Sequence, residues 1–144
     1  MIPLRRRANH IGHVLLASLV LGCHEAAGPS QVDVAGIYDL QSVAGAIGLA
    51  ETPVSGVITL TPYGVAERRV TYQTDSIGSV REVSAAGTYR LAGLMVHLEL
   101  RQDDGQGAFV WSVQAELQPT GGLRLAYPRA ADGTIVESYQ KRPR

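Results

Sequence analysis

The sequence predicts an all-β domain: a small antiparallel sheet of eight or nine strands that closes into a barrel. Three observations point there. From Val32 onward no helical period is sustained, and apolar and polar residues instead alternate in twos, as in half-buried strands. Gly, Pro or Asp interrupts that alternation at short intervals. Hydrophobic residues make up 45% of the 144-residue chain, which is enough for a packed core but for one domain at most. Strands that pair in order leave two exposed edges, and closing the sheet removes both.

Residues 1–22 read as a signal peptide. Arg5, Arg6 and Arg7 make a basic start, and the apolar run Ile11 to Leu21 is interrupted only by Gly12, His13 and Ser18. Such a run rises about 16 Å as a helix, half of a ~30 Å bilayer core, so it is not a permanent span. Ala8-Asn9-His10 after the arginines matches the twin-arginine export motif poorly. The break Val20-Leu21-Gly22-Cys23 resembles the lipobox of bacterial lipoproteins. The resemblance implies that diacylglycerol alkylates the thiol of Cys23 and that a peptidase then cuts before it, with Gly22 as the small residue the cut requires. Cys23 is the only cysteine, which excludes an internal disulfide and a multi-cysteine metal site. His24, rather than Asp, follows it; by the same resemblance this favours the outer membrane, facing the periplasm of a Gram-negative envelope. Two or three acyl chains hold a protein on a bilayer almost indefinitely.

Loss of the signal removes three arginines and no acid, leaving ten basic residues against 13 acidic ones. A mildly acidic mature chain has no electrostatic reason to bind nucleic acid, so the expected membrane partner is reached through the lipid anchor alone. Residues 23–33 are expected to be the lipidated Cys and a flexible tether, because His24 to Gln31 (HEAAGPSQ) is small and polar.

The barrel domain is expected over 34–142. Its strands are expected at 35–43, 56–61, 65–74, 80–85, 87–92, 94–101, 108–118, 122–127 and 134–140. Leu94, Val96, Leu98 and Leu100 alternate with Met95, His97, Glu99 and Arg101, and the segment from Phe109 to Leu117 repeats the pattern. Pro62-Tyr63-Gly64, Asp103-Asp104-Gly105, Pro119-Thr120-Gly121-Gly122 and Ala131-Asp132-Gly133 punctuate the strands as turns. Ala44 to Ser55 is the longest stretch outside a strand, a length that suggests a lid or a contact for a protein partner. The expected interior is Tyr38, Leu40, Ile58, Leu60, Val70, Tyr72, Tyr89, Leu91, Leu94, Val96, Leu98, Phe109, Trp111, Val113, Leu117, Leu123, Leu125 and Tyr139.

Gly36-Ile37-Tyr38-Asp39-Leu40 and Gly87-Thr88-Tyr89-Arg90-Leu91 are similar to the G-x-Y-x-L strand openings of lipocalin-like bacterial lipoproteins. The resemblance implies an up-and-down barrel of eight strands with one open end. It also implies that a basic residue near the end of the last strand, Lys141 or Arg142, packs on the Tyr38 ring.

Candidate chemistry is sparse. His97 and Glu99 share an outer face, too few ligands for a metal. Asp103-Asp104-Gly105-Gln106-Gly107 lacks the spacing of a calcium loop. No serine sits in G-x-S-x-G, and neither G-x-G-x-x-G nor a P-loop is present. Neither an enzyme nor a cofactor is therefore expected. Among the carboxylates, Glu99 and Glu116 are expected to face water. What remains is a set of aromatics on the inward parity. Tyr38, Tyr72, Tyr89 and Trp111 are the candidate ligand contacts, joined by Arg68. Arg68 and Arg69 point to opposite faces of one strand, and Arg68 is expected at an edge or outside. If it instead faces inward with Val70 and Tyr72, it is a cation at the mouth and the best candidate for anion contact. Eight-stranded barrels are either filled by their own side chains or hold a small ligand. Two functions follow: a lipid-anchored envelope lipoprotein that binds a small apolar ligand, or one with a filled barrel that contacts an envelope protein.

Overall fold

The structure is a computed structural model that describes residues 28–45, 51–74, 78–103, 107–129 and 133–144. The signal peptide and Cys23 lie outside these residues, as do Asp104-Gly105 and Ala131-Asp132. After a single helical turn, α1 (Gln31–Val34), the chain forms β1 (Gly36–Ala44), β2 (Glu51–Leu60), β3 (Val65–Thr74), β4 (Ser79–Ala92), β5 (Met95–Asp103), β6 (Ala108–Leu117), β7 (Leu123–Arg129) and β8 (Gly133–Lys141). Each strand pairs antiparallel with the next, and β1 pairs with β8, closing an eight-stranded barrel. Among the described residues no helix is long and apolar enough to cross a membrane.

The sheet corrects the expected boundaries in two places. The segments expected at 80–85 and 87–92 are one strand, β4, with Gly87 in its middle. Gly87 is not a break. A Cβ there would lie 2.0 Å from the carbonyl oxygen of Glu99, so glycine is what lets β5 cross so closely. The second correction concerns Ala44 to Ser55, since β2 already begins at Glu51. The register shifts between Pro53 and Ser55, leaving Val54 as an extra residue, and this bulge hides the alternation that marks a strand.

Strand parity sends a continuous apolar set inward. Tyr38, Ile58, Leu60, Tyr89, Val96, Leu98, Leu123, Leu125 and Tyr139 are all buried, as are Leu100, Ala66 and Ala115, which lie outside the expected set. Leu94 and Phe109 depart from expectation: Leu94 is 60% exposed and Phe109 45% exposed. Both have inward parity, but Leu94 falls in the turn between β4 and β5, and Phe109 stands at the rim of the opposite end.

One end of the barrel is sealed. Ser30 caps α1 reciprocally with Asp33, the backbone N–H of Ser30 donating to the Asp33 carboxylate at 2.9 Å. These bonds with Ser30 hold the Asp33 carboxyl below its usual range. Val34 packs into the base, and the Tyr38 hydroxyl donates to its carbonyl. The Tyr89 hydroxyl donates to the Thr61 carbonyl at 2.6 Å, and Lys141 Nζ donates to the Asp33 carbonyl at 2.7 Å. The expected tether thus ends earlier than residue 33, because 31–34 is the plug of the barrel.

Candidate functional site

The end opposite the sealed base is where β1 meets β2, β3 meets β4, β5 meets β6 and β7 meets β8. Below it lies a cup of about 490 Å³. Pro53, Val83, Phe109 and Ile135 give it apolar walls, Trp111, Tyr72 and Tyr127 give it aromatic ones, and Arg68 lies at its floor.

Arg68 faces inward, correcting the expected edge or outward position. On β3, Ala66, Arg68 and Val70 alternate into the barrel, and Arg68 is only 4% exposed. A charge is tolerated there only if it is paired. The partner is Glu137 on β8, which is fully buried. Nη2 of Arg68 donates to both carboxylate oxygens, at 2.7 and 2.8 Å. The Tyr127 hydroxyl donates to Glu137 Oε1 and the Tyr139 hydroxyl to Oε2, each at 2.7 Å. The carboxylate is therefore met by an ion pair and two phenols.

The guanidinium also stacks on the only tryptophan, with Cζ 4.6 Å from the ring centroid of Trp111. Trp111 meets Tyr127 edge to face at 5.6 Å. Burial, and next the negative charge of Glu137, which disfavours a phenolate beside it, raises the Tyr127 phenol well above its usual range. Burial also dominates for Tyr139, which rises likewise. For Arg68, burial works against the charged form, but Tyr139 and Glu137 outweigh it and hold the guanidinium firmly protonated. Arg68 Nε is buried with no hydrogen-bond partner. Nearer the rim, Arg81 pairs with Glu51 and lies over the Tyr72 ring at 5.9 Å.

The expected ligand contacts divide between the two ends. Arg68, Tyr72 and Trp111 line the cup. Tyr38 and Tyr89 lie in the sealed base, their hydroxyls committed to the backbone of α1 and of the turn after β2. Burial pushes the Tyr38 phenol up to about 12. Lys141 Nζ lies 5.7 Å from the Tyr38 ring centroid, whereas Arg142 pairs instead with Asp39. His97 is half-buried on the outer wall beside exposed Glu99. Among the described residues no three His, Cys, Asp or Glu converge on one point.

Glu137 and Tyr127 are the site residues that sequence reasoning missed. The signal existed: Ile135, Glu137 and Tyr139 share one parity, so an inward Tyr139 implies an inward Glu137. A larger hollow of about 550 Å³ lies on the outer wall over Ser84 and Ala86. It is flanked by the exposed side chains of Glu67, Arg69, Arg101 and Asp103, charges of both signs in solvent.

The geometry thus defines a closed antiparallel barrel with a solid base and a polar-floored cup. No protein-family model, curated protein or solved structure matches the chain.

Proposed function

We propose that this protein is a lipid-anchored binding lipoprotein of the cell envelope, not an enzyme, and that its barrel takes a small apolar ligand in the open-end cup. The cup carries the reading. Its volume of about 490 Å³ falls within the range of ordinary small-molecule sites, about 300–1,000 Å³. Its walls are apolar and aromatic, and a few fixed polar groups stand at the floor. The anchor at Cys23 and the outer-membrane, periplasm-facing location are supported by the resemblance of Val20 to Cys23 to a lipobox.

The point of entry of the chain fits this arrangement. Gly28 lies beside Gly93 at the sealed end. The chain from Cys23 to Gly28 reaches at most about 18 Å. An acylated Cys23 therefore holds the sealed end toward the bilayer and leaves the mouth facing water. The filled-barrel alternative, with a protein partner meeting Ala44 to Ser55, loses part of its support because 51–55 belong to β2.

Two measurements test the proposal. Labelled palmitate should be incorporated by the wild type and not by Cys23→Ser. The protein extracted in mild detergent should retain a small molecule in native mass spectrometry, or bind apolar probes with a change in Trp111 emission. Absence of label overturns the anchor, and absence of any bound molecule overturns the cup as a ligand site.

A further inference from the structure

We propose that the cup selects uncharged ligands over anionic ones, and that Glu137 sets this preference. The inference rests on the cup being a ligand site. Read from sequence, an inward Arg68 is a receptor for anions; the structure gives that cation a different role. Its Nη2 already spans both oxygens of Glu137 at 2.7 and 2.8 Å. Its Nε is buried and sealed from solvent, so it offers nothing to a ligand. The phenol protons of Tyr127 and Tyr139 are also committed to Glu137.

At the rim, Arg81 is paired with Glu51. The cup therefore holds two cations and two anions, each cation matched. An anionic head group at the floor would give up its water and gain no unmatched positive charge. It would also meet the like charge of Glu137 lying just behind Arg68. Discrimination then comes from repulsion as much as from attraction. An alcohol or carbonyl brings no charge to bury, and the Tyr127 oxygen, having donated its proton, still accepts a hydrogen bond.

Trp111, the single tryptophan, lines the cup and reports occupancy. The full-length acylated protein in mild detergent is titrated with decanol, decanoate and decylammonium at mildly alkaline pH. Decanol should bind at least about tenfold more tightly than decanoate. In Glu137→Gln, which leaves Arg68 unmatched, the ratio should move by at least about tenfold toward decanoate. In the double variant Arg68→Gln/Glu137→Gln, which restores neutrality, the preference for decanol should return. If Glu137→Gln fails to fold, the wild type still tests decanol against decanoate, and Arg68→Gln, which leaves Glu137 as an unmatched anion, should move the ratio further toward decanol, an unchanged ratio overturning the inference. Decanoate binding as tightly as decanol to the wild type, or an unchanged ratio in Glu137→Gln, overturns the inference and leaves the cup standing. Failure of all three chains to alter Trp111 emission overturns the cup itself, and the inference with it.

Discussion

Replacing Arg68 by Met removes one half of a buried pair and leaves the other behind. Arg68 is 4% exposed and Glu137 is fully buried, so water cannot take over from the guanidinium without entering the barrel. Glu137 keeps its bonds from Tyr127 and Tyr139 but loses its counter-charge. Stranding a buried charge in this way costs about 3–5 kcal/mol. Loss of the stacking on Trp111 adds about 0.5–2 kcal/mol. Against a total stability of about 5–15 kcal/mol for a domain of this kind, the variant stands near the threshold of folding. The double variant Arg68→Met/Glu137→Leu removes both charges and costs less. Its main penalty is the Tyr139 hydroxyl left without an acceptor, about 1–3 kcal/mol. The assay is equilibrium urea unfolding followed by far-UV circular dichroism, because Trp111 emission changes with the substitution itself. A single variant within about 1 kcal/mol of wild type, or no more destabilised than the double, refutes the reasoning.

Gly87→Ala should lower the denaturant midpoint by the equivalent of about 1–3 kcal/mol, since its Cβ would stand 2.0 Å from the Glu99 carbonyl oxygen; an unchanged midpoint would mean that β4 and β5 have room to separate. Tyr38→Phe removes the hydroxyl that donates to Val34 and should cost about 1 kcal/mol, with faster amide exchange in α1 as the local readout. In alkali, the folded pKa values of Tyr38, Tyr127 and Tyr139 all lie above their ordinary value, chiefly through burial. Their contribution to stability is complete below about pH 10 and is lost as the pH rises beyond it, because the unfolded chain releases those protons first. The part of the phenolate absorbance that belongs to these three should therefore rise in one cooperative step together with loss of the dichroism signal, apart from that of exposed Tyr63, and their ionisation in a still-folded barrel would contradict the buried network.

How far the sequence discloses this molecule depends on which physical signal marks each part. β5 and β6 are legible because Leu98 and Val113, and their neighbours two residues away, alternate without interruption. Closure follows from the cost of open edges, so the barrel is legible too. β2 is not, because the Val54 bulge shifts the parity where Pro53 and Ser55 already resemble a loop. β4 reads as two strands because Gly87 looks like punctuation, and only the nearness of Glu99, a neighbour in space, explains it. The floor of the cup fails for a related reason. Parity alone places Arg68 with Val70 and Glu137 with Tyr139. Each, seen on its own strand, is a charge that should not be buried. They become acceptable only as a pair, and 69 residues separate them.

The position of that pair bears on what it does. A buried ion pair adds little net stability over well-packed apolar side chains of the same volume, so its presence is no measure of how firmly the barrel folds. It sits at the boundary where the packed base, topped by Leu100 and Leu125, gives way to the cup. There Glu137 locks the hydroxyl of Tyr127, and Tyr127 in turn abuts Trp111. A floor of Met and Leu would close the base equally well but would fix no polar group for a ligand to find. Decanol should therefore bind the wild type more tightly than decane, the same chain without the hydroxyl, beyond the difference set by their solubilities in water. In Arg68→Met/Glu137→Leu, where Tyr127 keeps its hydroxyl but loses the acceptor that fixes it, that margin should shrink while the alkane still binds. Equal margins in the two proteins, measured through Trp111 emission, would mean that the floor closes the cup without orienting what enters it.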